Sequence, residues 1–210
     1  MALRRRGSRG DAQVDRILNI DSGGIEEWEE PNWDYFRFEA TPYRALDELI
    51  ERYEPLDNAF LVDYGSGLGR INFYFHHKFG MPGYGIELHD GRIKQANENL
   101  KSYKLGLPRN QRGIQLKFIK AYAEKHEPDP RANTFFFFNP FSDQIYYDVL
   151  GKILDSLIEH DRPCDIILYY PSSHYMMLMA SEPNFKLHQV INLDYSSDTR
   201  DCFMVYRHTP

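Results

Sequence analysis

Cysteine and long apolar runs are both scarce in this sequence. Its 210 residues include two cysteines, Cys164 and Cys202, which are far apart and each lie in an apolar run. This usage is typical of buried free thiols in a reducing compartment rather than of a disulfide scaffold. No apolar stretch approaches the length that spans a bilayer, and the N-terminus lacks the hydrophobic core of a secretory signal. We therefore expect a cytoplasmic protein that is not bound to a membrane.

An excess of positive charge is also missing. The formal net charge is -6 at pH 7, so no general field attracts phosphate backbones, and contact with nucleic acid would require a local basic patch. The eight histidines form no i, i+4 pair with an acidic partner, so we expect no metal site. A basic cluster at Arg4-Arg5-Arg6 is interpreted as part of a disordered tail over residues 1–24. Residues 25–210 are long enough for a single domain.

Short apolar runs alternate with amphipathic segments from residue 60 onward. This alternation is typical of βαβ units around a parallel sheet. The predicted strands are Phe60–Tyr64, Gly83–Leu88, Gln115–Ala121, Thr134–Asn139 and Asp165–Tyr170. The predicted helices between them lie near Arg70–Phe79, Gly91–Tyr103 and Gln144–Glu159. Two further strand-like runs, Phe185–Leu193 and Cys202–His208, are joined by a turn-rich segment and predict an antiparallel hairpin.

The predicted fold class is therefore α/β, with a doubly wound and mostly parallel sheet, a reversed C-terminal strand and helices on both faces. A helix is also predicted after Thr41-Pro42, where a capping residue is followed by proline at the first helical position. An aromatic cluster that includes Trp33 and Phe36 precedes this helix. We interpret residues 25–55 as an N-terminal helical lid outside the main sheet.

A glycine-rich turn, Gly65-Ser66-Gly67-Leu68-Gly69, directly follows the first predicted strand and opens a helix. Such a turn lets a ligand approach the backbone and presents free N–H groups. A dinucleotide-binding loop requires glycine where Arg70 stands, which argues against a nicotinamide cofactor. Asp63 would repel a pyrophosphate but attract the ammonium and sulfonium of S-adenosylmethionine (SAM). Glu87, at the end of the next strand, can accept hydrogen bonds from both ribose hydroxyls.

With these features the sequence resembles the class I SAM-dependent methyltransferases over about residues 40–206, most specifically at Val62–Arg70, Tyr84–Leu88 and Phe138–Phe141. The resemblance implies a seven-stranded sheet with a reversed last strand and SAM as the cofactor. It implies that Gly65 and Gly67 line the methionine moiety, that Asp63 approaches its amino group and that Glu87 binds ribose. The candidate cofactor-binding residues are Thr41, Tyr43, Asp63, Gly65, Ser66, Gly67, Glu87, Leu88, Ala121 and Tyr122.

The residues that contact the adenine and the methionine carboxylate are identified less directly. The segment after the third strand lacks the aspartate with which the family often binds the adenine amine, so backbone groups of Ala121 and the ring of Tyr122 are the candidates there. In the resembled fold, N-terminal elements close over the cofactor. We therefore expect Thr41 or Tyr43 to bind the methionine carboxylate and Phe38 to wall the site. The alternative is an aromatic latch packed on the sheet.

The apolar run Phe135–Phe138 ends in Asn139-Pro140-Phe141 at the sheet edge where open α/β sheets bind ligands. This motif resembles the Asn-Pro-Pro-aromatic motif of many amine methyltransferases, with one proline fewer. The resemblance implies that Asn139 orients a neutral nitrogen and that Phe141 packs beside the developing charge, so Asn139, Pro140 and Phe141 are the catalytic candidates. The alternative is a turn that ends a buried strand, with Phe141 in the core.

The predicted function is methyl transfer from SAM to an unidentified acceptor, with nitrogen favoured, on a small molecule, a protein side chain or a nucleic-acid base. Candidate general bases at the same edge are Glu39, Tyr170 and His174. The alternative from a different class is a non-catalytic SAM- or nucleoside-binding regulatory module. A nicotinamide-dependent oxidoreductase is disfavoured by Asp63 and Arg70.

Overall fold

A computed structural model describes residues 9–28 and 32–210. Its strands are β1 (Ile25–Glu26), β2 (Phe38–Glu39), β3 (Leu61–Tyr64), β4 (Gly83–Glu87), β5 (Leu116–Lys120), β6 (Thr134–Phe137), β7 (Cys164–Tyr169), β8 (Lys186–Asn192) and β9 (Cys202–His208). Its α-helices are α1 (Arg9–Leu18), α2 (Tyr43–Arg52), α3 (Arg70–Phe79), α4 (Asp90–Gly106), α5 (Asp143–Glu159) and α6 (Ser173–Ser181). Short 3₁₀ turns lie at Arg109–Gln111 and Ala123–Lys125.

A seven-stranded sheet with the order β5-β4-β3-β6-β7-β9-β8 forms the centre of the molecule. Strands β3 to β7 pair in parallel, whereas β9 runs antiparallel between β7 and β8. The mostly parallel sheet with a reversed C-terminal strand is therefore confirmed. Each predicted strand and helix of this region is present, with ends shifted by three residues or fewer.

Successive residues of the central strands point to opposite faces of the sheet, and each face packs against helices. Leu61 and Phe136 belong to the apolar cluster that includes residues of α2, α3 and α4. Val62 and Phe135 belong to a second cluster, which includes residues of α5 and α6. The near-continuous apolar runs in the sequence follow from this burial on both faces.

The carboxyl ends of the central strands lie level with one another. Tyr64 at the end of β3 is paired with Ile86 in β4 and with Phe137 in β6. The glycine turn and Glu87 follow these positions directly and Asn139 follows Phe137 after one residue, so all three meet at one edge of the sheet.

The expectation of a disordered tail over residues 1–24 is wrong for residues 9–24. Residues Arg9–Leu18 form α1, in which Asp15 and Leu18 are buried. The Asp15 carboxylate accepts hydrogen bonds from the Ser22 N–H at 2.8 Å and from the Tyr43 hydroxyl at 2.7 Å. These buried contacts order the segment. Residues 1–8, which include the arginine cluster, lie outside the described residues.

The expected helical lid over residues 25–55 is helical only in α2. Before it, β1 and β2 pair in antiparallel fashion, with Ile25 opposite Glu39. Tyr35 forms an isolated antiparallel bridge with Phe141, and the Phe36 N–H donates to the Pro140 carbonyl at 2.9 Å. This extended backbone is thus held by pairing rather than coiled into a helix. Residues 29–31 lie outside the described residues.

Among the described helices, none has both the length and the apolar character needed to cross a membrane.

Candidate cofactor and acceptor site

A cavity of about 490 Å³ opens at the carboxyl edge of the central strands. Its volume lies in the range of small-molecule sites. The predicted site residues that line it are Gly65, Glu87, Leu88, Ala121, Asn139, Pro140 and Phe141. Aromatic residues of the N-terminal segment, Trp28, Tyr35, Phe36 and Phe38, also line it. The sheet edge and the N-terminal segment together therefore enclose one site.

The glycine turn lies in close contact with two side chains from elsewhere in the chain. Gly65 and Gly67 have φ angles of +79° and +53°, a region that favours glycine. A Cβ on Gly65 would overlap Pro140, and a Cβ on Gly67 would overlap the Phe38 ring. Gly65 lines the cavity, whereas Gly67 is covered by Phe38. Both glycines are thus required by close packing as well as by turn geometry.

Glu87 is fixed at the end of β4 by backbone donors. One carboxylate oxygen accepts the Gly67 N–H at 3.0 Å, and the other accepts the His89 N–H at 2.8 Å. The Arg92 guanidinium lies 3.8 Å from the second oxygen. An ionised carboxylate has about four lone-pair sites, so each oxygen can still accept a hydrogen bond from a ligand hydroxyl in the cavity.

Asp63 is buried next to this cluster but does not line the cavity. Its Oδ2 has no hydrogen-bond partner among the described residues. Burial, and secondarily the negative charge of Glu87, raises the pKa of the Asp63 carboxyl well above its usual range. A nearby cation would stabilise the charged form of such a buried carboxyl. The arrangement therefore favours a positively charged ligand beside the glycine turn.

Asn139 lines the cavity and carries a buried acceptor without a hydrogen-bond partner among the described residues. Its backbone has a φ of +42°, a left-handed conformation that asparagine tolerates better than most residues. The flanking turn is fixed, because the Pro140 carbonyl accepts the Phe36 N–H and the Phe141 carbonyl accepts the Tyr175 hydroxyl at 2.7 Å. The buried Asn139 Oδ1 has no hydrogen-bond partner among the described residues. A donor on a bound molecule would satisfy it.

The Phe141 ring is buried in the core cluster. It packs edge-on against Tyr35 and Phe137, with ring centroids 6.0 and 6.2 Å apart. The structure thus gives Phe141 the packing role that the alternative interpretation expects, while the residue also contributes to the cavity wall.

Thr41 and Tyr43 do not line the cavity. The Thr41 carbonyl accepts from Arg70 Nη1 at 2.8 Å. The Tyr43 hydroxyl donates to Asp15, and its ring lies 4.2 Å from the Arg70 guanidinium carbon. The contacts that these two residues make hold α1 against the N-terminus of α3, and a contact with a methionine carboxylate stays a prediction.

Ser66 and Tyr122 do not line the cavity either. The Ser66 hydroxyl is buried without a hydrogen-bond partner among the described residues, and its side chain packs on Gly85. Tyr122 is exposed, with the Lys125 ammonium 4.6 Å from its ring.

Of the three candidate bases, Glu39 and Tyr170 line the cavity, whereas His174 lines a separate groove between α5 and α6.

Arg92, Tyr169 and Asp201 line the cavity but are absent from the sequence prediction. Arg92 is buried with its guanidinium 4.8 Å from the Trp28 ring, and its Nε has no hydrogen-bond partner among the described residues. The Tyr169 hydroxyl donates to Asp201 at 2.8 Å. Position alone could have indicated Tyr169, since it ends a strand at the ligand-binding edge. Nothing local in the sequence distinguishes Arg92 or Asp201.

Within the described ranges, no group of three or more His, Cys, Asp or Glu side chains is placed to hold a metal ion.

Known proteins resemble this chain in structure rather than in sequence. No protein-family model matches it, and no curated protein matches its sequence. An RNA methyltransferase from Salinibacter ruber in complex with S-adenosyl-L-homocysteine (SAH) is 20% identical, with a TM-score of 0.52 over 81% of this chain and 92% of that one. A SAM-dependent methyltransferase from Geobacter sulfurreducens, also with SAH, is 18% identical, with a TM-score of 0.52 over 81% and 91% of the two chains.

A third similar structure is a tRNA (uracil-54, C5)-methyltransferase from Pyrococcus abyssi in complex with SAH. It is 14% identical, with a TM-score of 0.55 over 99% of this chain and 44% of that one. This chain thus spans less than half the length of the Pyrococcus protein. Together these structures show that the chain has the Rossmann-like α/β fold of SAM-dependent methyltransferases.

Proposed function

We propose that this protein is a SAM-dependent methyltransferase that acts on a nitrogen atom. The observation that carries the proposal is the placement of Glu87 and Asn139 in one cavity, with the buried Asp63 carboxyl beside Glu87. Neighbours of the same fold that are crystallised with SAH support the cofactor. The cytoplasmic location stays a prediction from the sequence.

The residues present fit SAM. Its positive charge suits the acidic pair of Glu87, which lines the cavity, and Asp63, which is buried beside Glu87 without lining the cavity. Its ribose hydroxyls match Glu87, which is already oriented by two backbone N–H groups. The exposed backbone of Gly65 allows close approach on the same side. When bound, SAM supplies an electrophilic methyl group.

The protein's own residues then orient the acceptor. Methyl transfer is an in-line displacement that requires alignment of two atoms and exclusion of water. Asn139 Oδ1 accepts an N–H of the acceptor and thereby directs the nitrogen lone pair into the cavity. Glu39, which also lines the cavity, is placed to take up a proton. Tyr170 is not, because its hydroxyl donates to Asp198 at 2.7 Å and this bond raises the pKa of the phenol.

Methyl transfer from labelled SAM into small molecules, protein and nucleic acid of a cell extract tests this proposal. We expect the purified chain to label an acceptor, and Asn139→Ala to reduce labelling by about a hundredfold through misalignment while SAM affinity is retained. Asn184→Ala, at an exposed position outside the cavity, is the matched control. SAM binding without any labelling would contradict the proposal and favour the non-catalytic module.

A further inference from the structure

We propose that the methyl acceptor is a protonated alkylamine, recognised by Asp201 and the aromatic rings around it. This inference rests on the proposed function and names its substrate class. The acceptor half of the cavity lies next to Asn139 and is formed by the ends of β6 and β7 together with the segment that precedes β9.

Three aromatic rings form this half of the wall. Phe138, Tyr169 and Tyr170 all line the cavity. The Phe138 and Tyr169 centroids are 4.6 Å apart, and those of Tyr169 and Tyr170 are 6.4 Å apart. Aromatic faces attract ammonium and guanidinium groups. The Arg200 guanidinium lies 5.0 Å from the Tyr170 ring centroid, so a ligand cation would approach the face of Tyr170 that Arg200 does not cover.

Asp201 places a carboxylate in the same cavity wall, in contact with Tyr169. It is half-buried and accepts the Tyr169 hydroxyl at 2.8 Å. Among the described residues, no Lys, Arg or His nitrogen lies within 4.0 Å of its oxygens. By contrast, Arg37 is paired with Glu39 at 2.8 Å, and Arg92 lies near Glu87. Asp201 is therefore a carboxylate of the cavity wall that is available to a cationic ligand.

This chemistry favours an alkylamine over a nucleobase. The exocyclic amine of a nucleobase is neutral, so burying it against Asp201 removes water from the carboxylate without supplying a charge partner. Glu26 and Glu27, which lie near Arg92 and Arg37 respectively, add negative charge beside the cavity and disfavour the approach of a phosphate backbone. A protonated amine gains from both the rings and the carboxylate.

The transfer step balances in protons and electrons. The bound ammonium first gives a proton to a carboxylate of the cavity wall, which passes it to solvent. The freed nitrogen lone pair forms the N–C bond while the C–S bond breaks and its electron pair remains on sulfur. One remaining N–H donates to Asn139 Oδ1. The products are the N-methylated ammonium, SAH and one released proton.

Calorimetric titration tests the inference. The purified chain is first titrated with SAH, and the SAH-saturated protein is then titrated with spermidine, a lysine-containing peptide, adenosine and a single-stranded RNA oligonucleotide. We expect an amine to bind. We also expect Asp201→Asn to weaken that binding by about tenfold or more, because a charge-assisted contact is lost. Tyr170→Leu, which removes a ring but no charge, should weaken it as well. Asp194→Asn, an exposed change in the same connecting segment, is the matched control.

The outcomes separate the two proposals. Binding of spermidine alone identifies a free amine, and binding of the peptide identifies a lysine side chain; either result supports the inference. If SAH binds but the nucleoside or RNA binds in place of the amines, the inference is overturned and the proposed function stands. Unchanged amine affinity in Asp201→Asn, or no amine binding at all, also overturns it. If SAH itself does not bind, the proposed function is contradicted, and the inference that rests on it is contradicted with it.

Discussion

Asp63 is the residue whose ionisation is most closely connected to the proposed ligand. Because burial raises its pKa, the folded protein retains this proton at a pH where the unfolded chain has lost it. Stability should therefore fall as the pH rises above the usual aspartate range. Asp63→Asn should raise the melting temperature at pH 7, and the gain should vanish as the pH approaches the ordinary aspartate value of 3.8. Thermal unfolding between pH 4 and 8 measures this.

The exposed Asp57→Asn is the control for that measurement, since its carboxylate lies at the surface. A lower melting temperature of Asp63→Asn at pH 7 would contradict the account of Asp63. The same variant should bind SAM more weakly, because the cationic ligand loses its counter-charge. Stabilisation and weakened binding in one variant would connect the residue to ligand recognition rather than to folding.

Gly67 offers a second test at the residue scale. Gly67→Ala adds strain at a positive φ and an overlap with Phe38. Gly80→Ala adds only the strain, because no atom of the described residues beyond its chain neighbours lies within 4 Å of the added Cβ. We expect Gly80→Ala to cost about 1 kcal/mol and Gly67→Ala roughly 2–4 kcal/mol, since overpacking adds its own penalty. Chemical denaturation measures both. In the Phe38→Ala background, Gly67→Ala should cost about as much as Gly80→Ala, because the overlap is gone. Equal costs of the two glycine variants in the unchanged protein would show that the contact with Phe38 is unimportant.

At the scale of elements, α1 is held by a buried polar network rather than by an apolar face alone. Asp15 accepts from Ser22 and Tyr43 and lies 3.7 Å from Arg70. Asp15→Ala leaves the buried arginine with less compensation and should lower the free energy of unfolding by roughly 3 kcal/mol. The exposed Arg16→Ala is the control. Hydrogen exchange should show faster opening of α1 in Asp15→Ala, and unchanged exchange would contradict the proposed anchoring.

The elements that sequence patterns predicted are those with local signals. The sheet strands are short apolar runs with turns at their ends, and α5 has an apolar stripe, so both are recognisable without tertiary information. By contrast, α1 is rich in charge, and its order depends on Tyr43 and Arg70, which are distant in the sequence. The helix α6 was also missed, although Ser172 caps it by accepting the Tyr175 N–H at 3.2 Å.

At the scale of the whole molecule, the sheet explains which site residues could be predicted. Gly65, Glu87 and Asn139 lie at or just after the ends of parallel strands, and the register of those strands brings them to one edge. Thr41 and Tyr43 were predicted from the position of a segment in a resembled fold, and here that segment packs on α1. Arg92 and Asp201 enter the cavity through tertiary packing, which spacing in a sequence does not encode.

The central claim is that this edge of the sheet binds SAM, and titration calorimetry with SAM and SAH tests it most directly. We predict saturable binding of both ligands by the purified chain. Glu87→Ala should weaken each by at least about tenfold through the loss of hydrogen bonds to a charged group. Glu159→Ala, at an exposed end of α5, should bind like the unchanged protein. No binding at millimolar concentrations, or equal affinity in Glu87→Ala, would contradict the account.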